Sequence, residues 1–250
     1  MGQKALKRFG QNFLVNDNVI KGIIDSFKVP KENAILEIGP GEGALTKYLI
    51  NGYPNYAGIE IDKRLFDTLV EKFPGKIFLN ENVLKNKLDS YDAIIGNIPY
   101  NITSELLVKI VKDAQKAKFI LLMVQKEAYE RIVIAEKREE VTPLSLMLRI
   151  FYNYKHIMDV SKESFLPKPH VDSTVFLLER KMYINIDARQ FYYFLLILFS
   201  SRRKNILNNL LFKYPKEKIM EVLSKNMIDK SRRSETLSNE ELVNLYLDLN

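Results

Sequence analysis

The residues Gly96-Asn97-Ile98-Pro99-Tyr100-Asn101 directly follow the apolar run Ala93-Ile94-Ile95. Such a run reads as a buried strand, and its end delivers three groups to one spot: the Asn97 amide, the Ile98 carbonyl and the aromatic face of Tyr100. Two acceptor oxygens and a flat ring suit a planar base that carries an exocyclic amino group. That amine is a poor nucleophile, because its lone pair is delocalised into the ring. Accepting its two N–H hydrogens, at the Asn97 side-chain oxygen and the Ile98 carbonyl, biases the nitrogen toward a nucleophilic geometry and aims it at an electrophile. Pro99 stiffens the turn, and the chemistry requires neither a metal nor a strong base. Alone, the same stretch reads almost equally well as a strand-end turn with structural hydrogen bonds.

A second stretch sharpens the choice. Gly39-Pro40-Gly41-Glu42-Gly43 follows an apolar strand expected over 34–38 and precedes a helix expected over 44–50. Glycine at a strand-to-helix turn lets the backbone approach a ligand closely. Glu60 ends the next strand, 21 residues after Gly39, where doubly wound folds carry a carboxylate for ribose hydroxyls. The G-x-G-x-G spacing is one residue short of the dinucleotide fingerprint, and Glu37 and Glu42 would repel a pyrophosphate. S-adenosylmethionine carries no phosphate; its sulfonium and ammonium groups are cationic and suit a turn rich in carboxylates. A methyl donor is therefore favoured over NAD.

The elements that must hold these two turns alternate strand and helix. Asn16-Asp17 caps a helix running to about Phe27. Strands are expected over 34–38, 56–61, 76–79, 91–95 and 118–124. Helices are expected over 44–50, 63–73, 104–111 and 126–135. This order signals an α/β fold built on a doubly wound parallel sheet. A charged loop (136–141) and a helix (143–152) follow. Two strands of antiparallel character, 155–161 and 172–178, bracket Phe165-Leu166-Pro167-Lys168-Pro169. From Asp187 onward the pattern is helical: 191–199, 204–212, 216–225 and 240–249, the last announced by a capping box, Ser238 with Glu241. The domain boundary is placed at 183/184.

Of the 250 residues, 46% are hydrophobic, enough for a sizeable core. There is no cysteine, which excludes disulfides, thiolate metal sites and cysteine nucleophiles, and only His156 and His170 are present, so no metal is expected. The N-terminus lacks the apolar segment of a secretory signal, and the longest apolar run, nine residues over 191–199, is too short to span a bilayer. A cytoplasmic protein without membrane contact is expected. The 38 basic and 31 acidic residues leave a net charge of +7, which favours a polyanionic partner. Three basic clusters carry the excess: Lys4, Lys7 and Arg8; Arg202-Arg203-Lys204; and Lys230, Arg232 and Arg233.

Taken in order, these motifs resemble the ribosomal RNA adenine N-6 dimethyltransferases of the small-subunit type. The likeness runs through Gln11-Asn12-Phe13-Leu14, Glu37-Ile38-Gly39-Pro40-Gly41-Glu42-Gly43, Glu60-Ile61-Asp62, Asn97-Ile98-Pro99-Tyr100-Asn101, Gln125-Lys126-Glu127, the stretch Phe165-Leu166-Pro167-Lys168-Pro169-His170-Val171-Asp172-Ser173, and Ser201-Arg202-Arg203-Lys204. The resemblance implies a Rossmann-like class I S-adenosylmethionine-dependent methyltransferase domain over residues 1–183 and a small helical RNA-contact domain over 184–250. It implies donor binding by Gln11, Asn12 and Leu14 from the N-terminal segment, by Gly39 and Gly41, by Glu60 and Ile61, by Asn82 and Val83, and by Asn97 between donor and base. It implies catalytic roles for Asn97, Ile98, Pro99 and Tyr100, with Phe165 stacking on a flipped adenine opposite Tyr100; its loop position and flanking prolines point to exposure at the site. Lys4, Lys7, Arg8, Arg202, Arg203, Lys204, Arg232 and Arg233 would face RNA.

The chain departs from the family where an aspartate usually follows the third strand and binds the donor's adenine amino group. Asn82 stands there, with an amide oxygen that can accept the same hydrogen bond without charge. The function implied is dimethylation of two adjacent adenosines in the 3'-terminal hairpin loop of small-subunit rRNA, within a pre-ribosomal particle, by a monomer. The rivals are the sister type that modifies large-subunit rRNA, a DNA adenine methyltransferase, for which no target-recognition domain is evident, and a non-catalytic rRNA-binding assembly factor or transcription factor on the same scaffold.

Overall fold

The computed structural model describes residues 11–137, 140–181 and 186–250. The chain forms two compact units, one comprising residues through Tyr129 together with Asn153–Lys181, the other Glu130–Tyr152 together with the residues after Lys181.

The first unit is organised on a seven-stranded sheet, in the order β4 (Ile77–Leu79), β3 (Tyr56–Ile59), β2 (Ile35–Ile38), β5 (Ala93–Asn97), β6 (Phe119–Gln125), β9 (Ser173–Arg180), β7 (Tyr152–Val160). The first five are parallel, and β9 pairs antiparallel with β6. Strands β2, β3 and most of β5 and β6 are buried, which explains why, Glu37 apart, they read as near-continuous apolar runs. The crossovers are α1 (Asp17–Ser26) leading in, α2 (Thr46–Gly52), α3 (Lys63–Lys72) and α4 (Thr103–Asp113). Local signals set their starts. The Asn16 side chain accepts from the Asn18 and Val19 amides, and the Asp62 side chain caps α3. Strand order reverses between β2 and β5, so the ends of these two strands open a crevice. At that point Gly96 allows the backbones to close up: a Cβ there would sit 2.6 Å from the Ile38 carbonyl oxygen.

One pairing joins residues far apart in sequence. β1 (Phe13–Leu14) and β8 (Phe165–Leu166) form a two-stranded antiparallel ribbon, Phe13 opposite Leu166 and Leu14 opposite Phe165. The Val15 amide extends it by donating to the Ser164 carbonyl at 2.9 Å.

The second unit is helical. It contains α6 (Pro143–Phe151), α7 (Ala188–Leu198), α8 (Ile206–Leu210), α9 (Lys216–Lys225) and α10 (Asn239–Leu249). Its core is an aromatic cluster in which Phe191 meets Phe151 at 6.1 Å, Phe194 at 5.9 Å and Tyr246 at 5.1 Å between ring centroids. The Ser238–Glu241 capping box is present. The single cut expected at 183/184 is corrected: 130–152 packs with the C-terminal helices. α6 is buried on nearly every side, and a helix apolar all round must be enclosed; chain order alone does not say which neighbours enclose it. Two helices are shorter than expected. Only Lys126–Tyr129 (α5) is α-helical in the 126–135 stretch, which continues as a π turn over Glu130–Ile134, and α8 begins after, not at, the basic cluster 202–204. Among the described residues no helix is long and apolar enough to cross a membrane.

Candidate active site

A cleft of about 360 Å³ opens at the ends of β2, β3 and β5 in the first unit, a volume within the range of small-molecule sites. Its lining includes Gln11, Asn12, Leu14, Gly39, Gly41, Glu60, Ile61, Asn82, Val83, Asn97, Ile98, Pro99 and Tyr100. Every expected donor residue and four of the five expected catalytic residues thus meet in one place. Phe165 does not line it.

The Gly turn forms one wall. Gly39, Gly41 and Gly43 all have positive φ, 66°, 60° and 87°, so a side chain there would be strained. The Phe13 ring packs against Gly41, 3.3 Å from where a Cβ would stand. Glu60 braces the turn from the next strand. Its carboxylate accepts from the Gly41 amide (3.1 Å) and the Asp62 amide (3.0 Å). Burial raises its carboxyl, and those amide hydrogen bonds oppose the rise.

Glu37, 2% exposed, lies beneath the turn. One of its oxygens receives both the Thr46 hydroxyl at 2.7 Å and the Tyr56 hydroxyl at 2.6 Å. Burial nevertheless lifts its carboxyl to about 7, and burial beside Glu37 raises the Tyr56 phenol well above its usual range. Sequence reasoning took Glu37 as a fixed charge; its near-complete enclosure makes it a group that titrates near neutrality. Glu37, Glu42, Glu60 and Glu81 all line the cleft, and no Lys, Arg or His does among the described residues. This donor set fits a cationic ligand and disfavours a pyrophosphate.

At the end of β5 the Asn97 amide nitrogen donates to the Asn12 carbonyl at 3.2 Å. A carbonyl only accepts, so this bond fixes which way the amide is turned. The NH2 faces Asn12, and Oδ1 is left for another donor. The Ile98 amide donates to the Met123 carbonyl at 2.9 Å. Ile98 as a whole is 1% exposed, and with its amide engaged its carbonyl is the polar group it has left to offer. The Tyr100 hydroxyl lies 3.3 Å from Ser173 Oγ, which holds the ring at the cleft edge.

Asn82 follows β4. Its side-chain oxygen accepts from the Leu84 amide at 2.9 Å, and it makes no other side-chain hydrogen bond among the described residues. The oxygen expected to accept from a ligand therefore has one of its two lone pairs engaged by the turn it sits in.

Two further expectations are corrected. Phe165 is buried, only 4% exposed, within the core formed with Leu14, Val160 and Val175, because β1 lies alongside it; Leu166, 67% exposed, faces outward instead. The cationic residues also divide. Lys4, Lys7 and Arg8 lie outside the described residues. Arg202, Arg203, Lys204 and Arg233 are exposed. Arg202 donates to the Val141 carbonyl at 2.7 Å. Arg232 forms a two-pronged ion pair with Glu241, at 2.6 and 3.1 Å, which commits it to the fold. Sequence reasoning missed Asp62 as a hub. Its side chain is 3% exposed and bonds Gln11 at 2.9 Å as well as Arg64. Its place directly after Glu60-Ile61 was the available signal.

The family model for "Ribosomal RNA adenine dimethylase" matches residues 2–250. The "Ribosomal RNA small subunit methyltransferase A" of Mycoplasmopsis pulmonis is 40% identical over 98% of this chain and 99% of its own length. Among solved structures, a dimethyladenosine transferase from Plasmodium falciparum superposes with a TM-score of 0.79 at 26% identity, over 94% of this chain and 96% of that one. The 23S rRNA methyltransferase ErmE superposes with a TM-score of 0.71 at 25% identity, over 95% and 99%. With a match that runs almost from end to end, this chain belongs to the ribosomal RNA adenine dimethylase family and is a methyltransferase with the Rossmann-like α/β fold.

Proposed function

We propose that the protein is an S-adenosylmethionine-dependent rRNA adenine N-6,N-6-dimethyltransferase. Its substrate is a pair of adjacent adenosines in the 3'-terminal hairpin loop of small-subunit rRNA, carried by a precursor small subunit in the cytoplasm. The observation that carries this reading is the orientation of the Asn97 amide, whose oxygen is turned away from Asn12 at the edge of an acidic cleft that holds no lysine or arginine among the described residues.

S-adenosylmethionine supplies an electrophilic methyl group on a sulfonium when bound. Glu60 is placed to take ribose hydroxyls with lone pairs not used by Gly41 and Asp62. A bound cation would draw the buried Glu37 and Glu60 carboxyls back toward their charged forms, since an opposite charge offsets the desolvation that raised them. Asn97 Oδ1 and the Ile98 carbonyl accept the two hydrogens of the adenine N6 amine. Tyr100 stacks on the ring. The methylated amine sheds its proton to water, so no side chain need act as a strong base. Arg203, Lys204 and Arg233 supply phosphate contacts, and their contribution weakens with salt. The preference for the small-subunit substrate is supported by the 40% identity of the small-subunit relative, against 25% for the large-subunit enzyme.

The test is methyl transfer to immature small subunits, free small-subunit rRNA and large-subunit precursors, read by nucleoside mass spectrometry. Dimethyladenosine is expected from the small-subunit substrate. Its absence there overturns the reading, and its appearance only in the large-subunit precursor moves the chain to the sister type.

A further inference from the structure

The reading of Asn97 depends on the Asn12 carbonyl staying where it is, and the structure shows what holds it. On the C-terminal side, Phe13 and Leu14 are laddered to Leu166 and Phe165, and the Val15 amide is bonded to the Ser164 carbonyl. The Asn16 side-chain amide adds a bond to Ser164 Oγ at 3.2 Å. On the other side, Gln11 Nε2 donates to Asp62 Oδ2 at 2.9 Å. The short segment between these two anchors carries the carbonyl that receives the Asn97 amide.

The Asp62 anchor is itself firmly set. Its Oδ1 accepts from the Arg64 amide and from Arg64 Nε, both at 3.1 Å, and its Oδ2 from an Arg64 terminal nitrogen at 2.7 Å. Its own amide donates to Glu60. The Arg64 guanidinium holds its carboxyl at about 2, so it is an anion throughout the neutral range. Asp62 does not line the cleft, and any effect it has on the reaction must pass through Gln11 and the segment beyond.

We propose that Asp62 is a positioning residue: by holding Gln11 it hangs the Asn12 carbonyl over Asn97 and keeps the Asn97 oxygen presented to the incoming amine. This rests on the assignment of Asn97 as the acceptor of that amine. If the tether slackens, the Asn97 amide loses the partner that fixes its rotation, and its NH2 can turn to the substrate, where it opposes the N–H it should receive.

The pair Gln11–Asp62 can be broken and rebuilt with near-isosteric changes. Gln11→Glu sets two carboxylates against each other. Asp62→Asn weakens the acceptor. Combining the two substitutions rebuilds the contact with the roles exchanged, the introduced amide at position 62 donating to the introduced carboxylate at position 11, at the cost of the bond that Oδ2 accepts from the Arg64 terminal nitrogen. Each single variant is expected to lower kcat at saturating donor and RNA by about 10²-fold, the scale of loss for a misplaced reacting group. In Asp62→Asn, whose side chain lies outside the cleft, S-adenosylmethionine affinity by calorimetry and KM for RNA are expected to stay near their original values, and the double variant is expected to recover part of the loss in kcat.

The idea is overturned if the single variants turn over normally, if the loss in Asp62→Asn lies in donor affinity rather than kcat, or if the double variant is no better than the worse single one. A second measurement needs neither RNA nor donor. The Asn97 side-chain NH2 signals in the 15N spectrum, assigned by their disappearance in Asn97→Asp, should exchange faster with water in Gln11→Glu and slow again in the double variant. Unchanged exchange would sink the tether even if the protein proves to methylate another substrate. A normal tether in a protein without methyl transfer would sink only the functional reading.

Discussion

Of the asparagines that line the cleft, Asn97 and Asn82 stand at or just past the end of a parallel strand, and the fold turns these two in opposite senses. Asn97 gives its NH2 to the Asn12 carbonyl and keeps its oxygen for a ligand. Asn82 gives its oxygen to the Leu84 amide and keeps its NH2. The difference comes from the neighbouring backbone group, an acceptor in one case and a donor in the other. A side chain that is both donor and acceptor is thereby made into one or the other. At Asn97 the result matches an amine. At Asn82 the single acceptor oxygen is shared with the Leu84 amide, so that position contributes less to an adenine moiety than an acid would, since a carboxylate has a second acceptor oxygen to spare.

The largest effect should come from removing the first amide. Asn97→Ala is expected to lower methyl transfer by about 10³-fold, the upper range for deleting one preorganised hydrogen-bonding group, while RNA binding survives. Asn82→Ala in the same assay should change turnover little. Comparable losses at both positions would erase the distinction.

The next effect tests what titrates between them. Both asparagines are neutral at every working pH, so the pH response of this region falls to its buried carboxyls, Glu60 and, more enclosed still, Glu37. Its carboxyl is at about 7 in the folded protein against 4.5 as a reference. Between those values the folded state keeps a proton that the unfolded chain has lost, so stability should fall as pH rises from 4.5 to 7 and level off above. The size is about 3 kcal/mol, from the shift in pKa. Glu37→Gln should remove that part of the slope in urea denaturation followed across pH. An unaltered slope would locate the titration elsewhere.

The smallest effect is the most pointed. The same substitution should act with opposite signs at the two sites. Asn82→Asp adds an acceptor while retaining the one that caps Leu84, and should tighten S-adenosylmethionine binding by about tenfold, one good hydrogen bond. Asn97→Asp places an acceptor against the Asn12 carbonyl and should lower kcat. Calorimetry and initial rates on the two variants decide it; effects of the same sign would break the comparison.

Much of this was legible in the chain. The strand–helix alternation through 125 follows from apolar period and turn residues, and Asn16 and the Ser238–Glu241 pair mark helix starts, because caps are satisfied within a few residues. The Gly turn, Glu60 and Asn97 were found for the same reason: each follows directly from the strand that carries it. Three things were not legible. Phe165 looked exposed because its own neighbours are prolines, and it is covered by a strand about 150 residues earlier. α6 reads as the tail of the first domain and belongs with the helices after 186. Arg232 reads as a surface cation and is paired with Glu241.

The sequence by itself determined the order of strands and helices, the donor turn and the identity of the groups at the end of β5, because these depend on local periodicity, steric demands and covalent succession. Only the tertiary structure decided which atom of each amide faces the cleft, that Glu37 is enclosed enough to titrate near neutrality, and that Asp62 is tied to Gln11. Those properties depend on which donor or acceptor arrives from a distant part of the chain and on how completely water is excluded, and neither is written in the residues that carry the chemistry.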